Sequence, residues 1–508
     1  MKQLFAFRWC IVLLFLVISP IVQAQTTKDF ILQNGVLITN ITVISASEQK
    51  VKTFVGHVIL DEGTILYAGK KRPMIKGNVQ IIEGKGKYLV PGLIDSHVHV
   101  NTPVGLTDDD FENNPELVNS YYRQLPRTYL YYGFTSLIDL NLTSGSRKRF
   151  EAAEIKPRLF GVGGIRVLDG YGPNFFPKPL RYKMFPDWVY NPEQLADVPE
   201  NTDLTQHTPK FLANKLKQTG MIGIKTYFER GTWSKSELPV PNDDVLKQLV
   251  DESHALDLPV IIHAPSAEGY QKGLNAGVDI FAHGLWYWNT TSPLDTEPGP
   301  EVKSTLKQLG NSGKYVQATM RVISGEIDTY TWSLVSHPEL KNALPSALIE
   351  HLKSEKGKAS QRFLIETYTK NRKDPTIDLE TYLHTVQKRF FKAMKLAIQS
   401  KVNFIFGSDT PAEEGVGNVP GFNGQLELKE LHAAGLSLEQ IFLAATTRNA
   451  KAFGLEKKLG SIEPGKLADL LILKANPLKT ITAYGEIETV VISGKAIPRQ
   501  NLSAVNFK

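Results

Sequence analysis

After Pro91-Gly92 the chain alternates short apolar runs with longer stretches of helical periodicity, and run after run stops on a residue able to bind a metal. Continuous apolar runs mark strands buried on both faces, and strand–helix alternation is the pattern of a parallel α/β fold. The first run, Leu89-Val90-Pro91-Gly92-Leu93-Ile94-Asp95-Ser96-His97-Val98-His99, ends in two histidines two residues apart. Residues i and i+2 share one face of a strand, so both imidazoles can reach one metal from one strand end. Strand ends are expected near His97, Asp139, Gly161, Lys225, His263, His283, Met320 and Asp409. Eight is the count of a TIM (β/α)8 barrel, whose active sites sit at the C-terminal ends of the strands.

The later runs add candidates one at a time. Met221 to Tyr227 places Lys225 inside an apolar strand, where an unpaired ammonium is costly; a salt bridge is the plain alternative. Pro259 to Ala264 stops at His263, Val278 to Gly284 at His283, and Val402 to Thr410 carries Asp409. A single strand-end histidine is more often a core or loop residue. The 38 positions from Lys225 to His263 and the 20 from His263 to His283 each suit one strand–helix step. With His97 on strand 1, Lys225, His263, His283 and Asp409 fall on strands 4, 5, 6 and 8, so that six side chains, His99 included, converge at one end of the barrel.

The flanks read differently. From Phe30 to Ile82, short β-branched runs such as Val36-Leu37-Ile38-Thr39 and Thr42-Val43-Ile44 alternate with turns, as in a small β domain. Strand patterns return at Ala468–Leu473 and Glu488–Ile492, too little for a core of their own. They are expected to complete the N-terminal sheet. The barrel then becomes an insertion in a small β-sandwich composite domain, with 25–88 and 455–508 as its halves and 89–454 as the barrel. A Lys- and Glu-rich helical insertion at about 325–400 reads as a charged solvated face, with a substrate lid as the alternative.

At the N-terminus, Lys2 and Arg8 precede the apolar run Ile11 to Ile18 and Val22-Gln23-Ala24. The run is shorter than the roughly 20 residues of a spanning helix, so 1–24 reads as a signal peptide cleaved after Ala24. Periplasmic or secreted placement with no stable membrane anchor follows. Cys10, the one cysteine, would leave with the signal, removing disulfides and thiol ligands from the mature chain. Loss of Lys2 and Arg8 takes the formal charge from +6 to +4, and no arginine-rich stripe or nucleic-acid motif is present. No nucleic-acid partner is expected. Homo-oligomer formation is left open.

These motifs together resemble the amidohydrolase superfamily, in its imidazolonepropionase-like and Xaa-Pro dipeptidase (prolidase)-like branch. The resemblance spans essentially the mature chain and rests on Pro91 to His99, Gly407-Ser408-Asp409, Ala444 to Ala450, and Gly460 to Asp469. It implies that His97, His99 and Asp409 bind one metal, that His263 and His283 bind a second, and that Lys225 bridges the two as a carbamate. Asp409 would be the acid/base, and the split β domain the family's companion. Close prolidase-like relatives often carry Gly-Gly-His-Gly after strand 3, where this chain has Gly170-Tyr171-Gly172-Pro173; the ligand set is untouched and the substrate is left open.

Two divalent ions, zinc being the expected metal, would activate a water as nucleophile, and Asp409 would move its proton to the leaving group. Carbon–nitrogen hydrolysis of a small-molecule amide, dipeptide or cyclic amide is the reading. Lactone, ester or organophosphate hydrolysis at the same centre is the alternative. A binding protein that had lost catalysis would lack ligands, and none is missing. Tyr227, two residues after Lys225, faces the same interior and would either meet the substrate or pack beneath the metals. The aromatic stretch Tyr171 to Tyr190 would wall the pocket or pack upon itself.

Overall fold

The structure is a computed structural model that describes residues 29–47, 50–231, 237–288, 292–411 and 415–506. The signal-peptide reading of 1–24 lies outside the described residues. Among the described residues no helix is long and apolar enough to cross a membrane.

The two short runs expected at Val36-Leu37-Ile38-Thr39 and Thr42-Val43-Ile44 lie in one 17-residue strand, Phe30–Ala46. It pairs antiparallel with Val51–Asp61 along one edge. Its other edge changes partner midway, taking Ile75–Glu83 in parallel over its first half and Tyr88–Pro91 in parallel at Thr42 and Val43. Asn40, at a positive φ of 55°, lies where the register shifts between Ile38 and Ile41. This bulge lets a single strand serve two neighbours. Tyr88–Pro91 then pairs antiparallel with Leu470–Leu473, which continues to Ile487–Ile492 and Lys495–Pro498.

Strands from both ends of the chain therefore share one sheet. Where a sandwich was expected, the strands belong to one branched sheet. It folds back on itself, with the Ile65 amide donating to Lys466 O and the Ala468 amide to Gly63 O, both at 2.8 Å. Ile38, Val43, Val58, Leu470 and Ile472 fill its interior.

The remaining strands are parallel. Leu93–Val98, Phe134–Asp139 and Arg158–Gly161 form one sheet; Ile224–Tyr227, Val260–His263, Ile280–Ala282, Tyr315–Gln317 and Asn403–Ile405 form the other. Gly163 and Gly164, directly after Arg158–Gly161, pair with Ile224 and Lys225 and join the sheets at one seam. At the other seam Val98 bridges Thr410 in parallel, and the Ser96 and His99 amides donate to Phe406 O and Thr410 O at 3.1 and 3.0 Å. The eight strands close into a circuit. Every residue of Leu93–Val98 and Phe134–Asp139 is buried, as strands covered on both faces must be.

Capped helices connect them. Asp243–His254 is capped by the Asn242 side chain accepting from the Val245 amide, and Ala267–Ala276 by Ser266 at its start and left-handed Gly277 at its end. The seventh strand ends at Gln317 rather than near Met320, which instead opens the helix Arg321–Thr331. The insertion holds further helices, ending with Leu379–Gln399. A solvated charged face describes only its outer side. Val386, Phe390, Ala393 and Met394 bury a helical stripe against the strand–helix body, because apolar residues recurring at three and four positions lie on one face, while Leu383 joins Leu364 and Leu379 in a separate cluster.

Candidate metal centre

His97 and His99 project from the end of Leu93–Val98 with ring centroids 5.3 Å apart. The Nε2 atoms of both lie 3.1 Å from Asp409 Oδ1. Asp409 is not in the strand Asn403–Ile405 but on the loop four residues beyond it, held at a φ of 53°. Two features steer that loop. A Cβ on Gly407 would lie 2.8 Å from His97 Cβ, so only glycine lets the chain pass this close. The buried Asp95 carboxylate accepts from Ser408 Oγ at 2.5 Å, from the Ser408 amide at 3.0 Å and from the His97 amide at 3.2 Å. One side chain thus locks the histidine strand to the aspartate loop, and burial pushes its carboxyl up to about 7.

His263 ends its strand, and His283 follows Ile280–Ala282 at a φ of 77°. Positive φ at a non-glycine residue is strained and is tolerated where the surroundings enforce it. His283 O accepts from Tyr270 Oη at 2.6 Å, and His283 Nδ1 lies 2.9 Å from Thr319 Oγ1. His283 Nε2 is 2.8 Å from His263 Nδ1, and its Nδ1 is 3.5 Å from Asp409 Oδ2. His283 is accordingly the hinge between the two halves of the cluster. Glu229, missed in the sequence, brings its Oε2 to 3.8 Å from His263 Nε2.

The electrostatics suit a cation. Burial, reinforced by Lys225 and neighbouring histidines, holds His97 and His283 well below the usual imidazole range, so both are neutral and present lone pairs. His97 Nδ1 and His263 Nε2 are buried with no hydrogen-bond partner. Ligand atoms of His97, His283 and Asp409 all lie within 4.8 Å of one another. That span is close to two metal–ligand bonds of ~2.1 Å placed end to end, so modest side-chain adjustment would seat an ion.

Lys225 is buried in Ile224–Tyr227, and burial, with Arg166 nearby, pushes its amine down to about 7 against the opposing pull of Asp409. Among the described residues it forms no ion pair, which disfavours the salt-bridge alternative. Tyr227 both packs and hydrogen-bonds. Its ring stacks on Tyr171 at 5.9 Å, Tyr171 stacks on His263 at 4.4 Å, and its hydroxyl accepts from Arg166 Nη2 at 3.0 Å. Tyr171 therefore walls the centre from the loop after the third strand. Arg166 was also missed, although an arginine within the run Gly163-Gly164-Ile165-Arg166-Val167-Leu168 carries the same signal as Lys225: a charge where the pattern is apolar.

A family model described as amidohydrolase family matches residues 88–282 and 346–497. A dihydroorotase of Carboxydothermus hydrogenoformans is 24% identical over 268 residues, 51% of this chain and 46% of that enzyme; the match spans about half of its length. A 5-methylthioadenosine/S-adenosylhomocysteine deaminase of Caldanaerobacter subterraneus is 23% identical over 488 residues, 91% of this chain and 93% of the deaminase. Among solved structures, a prolidase complexed with N-methylphosphonate-L-proline superposes with a TM-score of 0.62 at 20% identity, covering 91% of this chain and 99% of the prolidase. That last likeness is one of fold.

Proposed function

The chain belongs to the amidohydrolase family and is a hydrolase of carbon–nitrogen bonds, and from that premise we propose that it cleaves a small-molecule amide with a water activated at the His97–Asp409 cluster. The observation that carries this is the convergence of His97, His283 and Asp409 ligand atoms within 4.8 Å in a buried cluster. The closed circuit of parallel strands is, in this reading, a TIM (β/α)8 barrel inserted in the sheet built from 25–88 and 455–508, with the centre at the C-terminal strand ends where such barrels place chemistry.

His97, His99 and Asp409 would hold one divalent ion, zinc being the metal suited to histidine and carboxylate donors, and His263 and His283 a second. Such ions would supply the Lewis acidity that makes water nucleophilic near neutral pH and polarises the scissile carbonyl. The neutral amine of Lys225 would add carbon dioxide and release one proton to solvent, so that an anionic carbamate able to bind divalent ions stands where a buried ammonium would be costly. Asp409 accepts the proton of the attacking water and returns it to the leaving nitrogen. Tyr227 donates its hydroxyl to the substrate carbonyl, and Tyr171 shields the histidines from bulk water.

Purified chain loaded with zinc tests this: two metals per chain are expected, with turnover on a panel of dipeptides, N-acyl amino acids and cyclic amides. His97→Ala should lower the metal content and abolish turnover while circular dichroism stays unchanged. Lys225→Ala should lose activity that short carboxylic acids partly restore. Full metal content with unchanged turnover in His97→Ala would overturn the site.

Export is part of the same proposal and rests on Lys2, Arg8 and the run Ile11 to Ile18. Intact mass from an exporting host should start at Gln25; retention of Met1 to Ala24 would refute it.

A further inference from the structure

Arg166 is buried to 6% exposure, yet among the described residues it forms no ion pair. Its Nε has no hydrogen-bond partner, and among the described residues the one hydrogen bond of its guanidinium runs from Nη2 to the Tyr227 hydroxyl at 3.0 Å. The guanidinium carbon lies 4.3 Å from the Phe185 ring centre and 4.4 Å from that of Tyr227. Glycines make the room. A Cβ on Gly164 would stand 2.9 Å from Arg166 Nη1, and one on Gly172, whose φ of +93° already favours glycine, 2.8 Å from Arg166 Nε. Burying a guanidinium without a counter-ion is costly, so the position calls for a use.

A guanidinium can only donate, whereas a phenol oxygen can accept while its own hydrogen donates elsewhere. With its oxygen engaged by Arg166 and no other protein hydrogen bond among the described residues, the Tyr227 hydroxyl keeps that hydrogen for a second oxygen. Its ring lies 5.9 Å from that of His263 and 5.8 Å from Lys225 Nζ, alongside the proposed reaction centre.

We infer that Arg166 is a positioning residue that acts through Tyr227, fixing the phenol as a hydrogen-bond donor to the substrate oxygen on which negative charge develops. This deepens the function proposed above and rests on it for the identity of that oxygen. A cation behind the phenol strengthens the bond as charge grows, which is when transition-state stabilisation counts. The rival role is packing alone, with the guanidinium held between two aromatic faces. Packing alone would act without regard to the Tyr227 hydroxyl.

The test is a double-mutant cycle on the zinc-loaded full chain, read first by calorimetric binding of methylphosphonate, a small tetrahedral oxyanion that needs no turnover. Tyr227→Phe and Arg166→Met should each weaken its Kd about tenfold, the worth of one charge-assisted hydrogen bond, and the double variant should be no weaker than either. Arg166→Lys keeps a cationic donor and should bind within about threefold of the wild type; if Arg166→Met does not fold, Arg166→Gln, which removes the charge, completes the cycle with and without Tyr227→Phe. For any amide that is turned over, the same variants should lower kcat with KM nearly constant, and in the Tyr227→Phe background the Arg166 substitution should change nothing further. Losses that multiply, binding indifferent to Arg166, or no binding of methylphosphonate by the wild type would each overturn the inference. A chain that cleaves none of the amides yet shows the binding cycle loses the proposed function and keeps Arg166's role; turnover without the cycle does the reverse.

Discussion

Asp409 sits where one side chain meets three histidines: Oδ1 is 3.1 Å from both His97 and His99 Nε2, and Oδ2 is 3.5 Å from His283 Nδ1. A group so placed can ligate and move a proton, and the two duties separate in Asp409→Asn. The amide keeps an oxygen for the metal but cannot accept a proton. Much of the metal should remain while turnover falls about 10²- to 10⁴-fold, the usual worth of a general base. A loss under roughly tenfold, with metal content measured on the same sample, would assign the proton transfer to another group. Residues flagged by their own short run, such as His97 and Lys225, were legible. Thr319 and Glu229 were not, because each acts on a histidine in a separate run and nothing in its local run marks it; Asp95 stands in the marked Pro91 to His99 run, but its hold on Ser408 was not legible there.

Among elements, the helical insertion departs most from its composition. Its Lys and Glu content suggested a solvated face, but Leu379–Gln399 drives Phe390 into the body of the protein. A Cβ on Gly284, next to His283, would lie 2.2 Å from the Phe390 ring. Phe390 also meets the Trp286 ring edge-on at 5.4 Å, and Trp286 lies 5.1 Å from His283. The helix thus buttresses the proposed ligand His283. Phe390→Ala should cost about 3 to 5 kcal/mol in urea unfolding and weaken metal retention, since a buried ring is lost beside a residue already at strained φ. A loss below about 1 kcal/mol would mean that the helix merely rests on the parallel strands and their helices. Composition could not reveal this, because charge on the outer face says nothing about the inner stripe.

At the scale of the whole molecule, the β sheet and the parallel strands are pinned by Arg158, whose Nε pairs with Asp469 at 2.5 Å and whose Nη2 reaches Ser493 Oγ at 3.2 Å. Asp469 is almost completely buried, while Arg158 keeps partial solvent access. Arg158→Ala should therefore destabilise by about 2 to 3 kcal/mol, below the ~3–5 of a fully buried pair, and Asp469→Asn in that background should recover part of the loss. Equal stability of wild type and Arg158→Ala in denaturant titration would show the pair to be incidental.

The sequence alone was enough to mark most of the strand ends, though not the seventh at Gln317 or the eighth at Ile405, because a strand's apolar run and its period-two faces are local properties that a reader of neighbouring positions can see. It was also enough to expect the C-terminal strands to join the N-terminal sheet, since they were too few for a core of their own. Only the tertiary structure decided that His283 would touch both halves of the cluster, that Tyr171 would lie on His263, and that Arg166 would stand behind Tyr227. Those relations depend on how separate strands and loops close around one another, and chain closure is a property of the folded whole that no single stretch of residues carries.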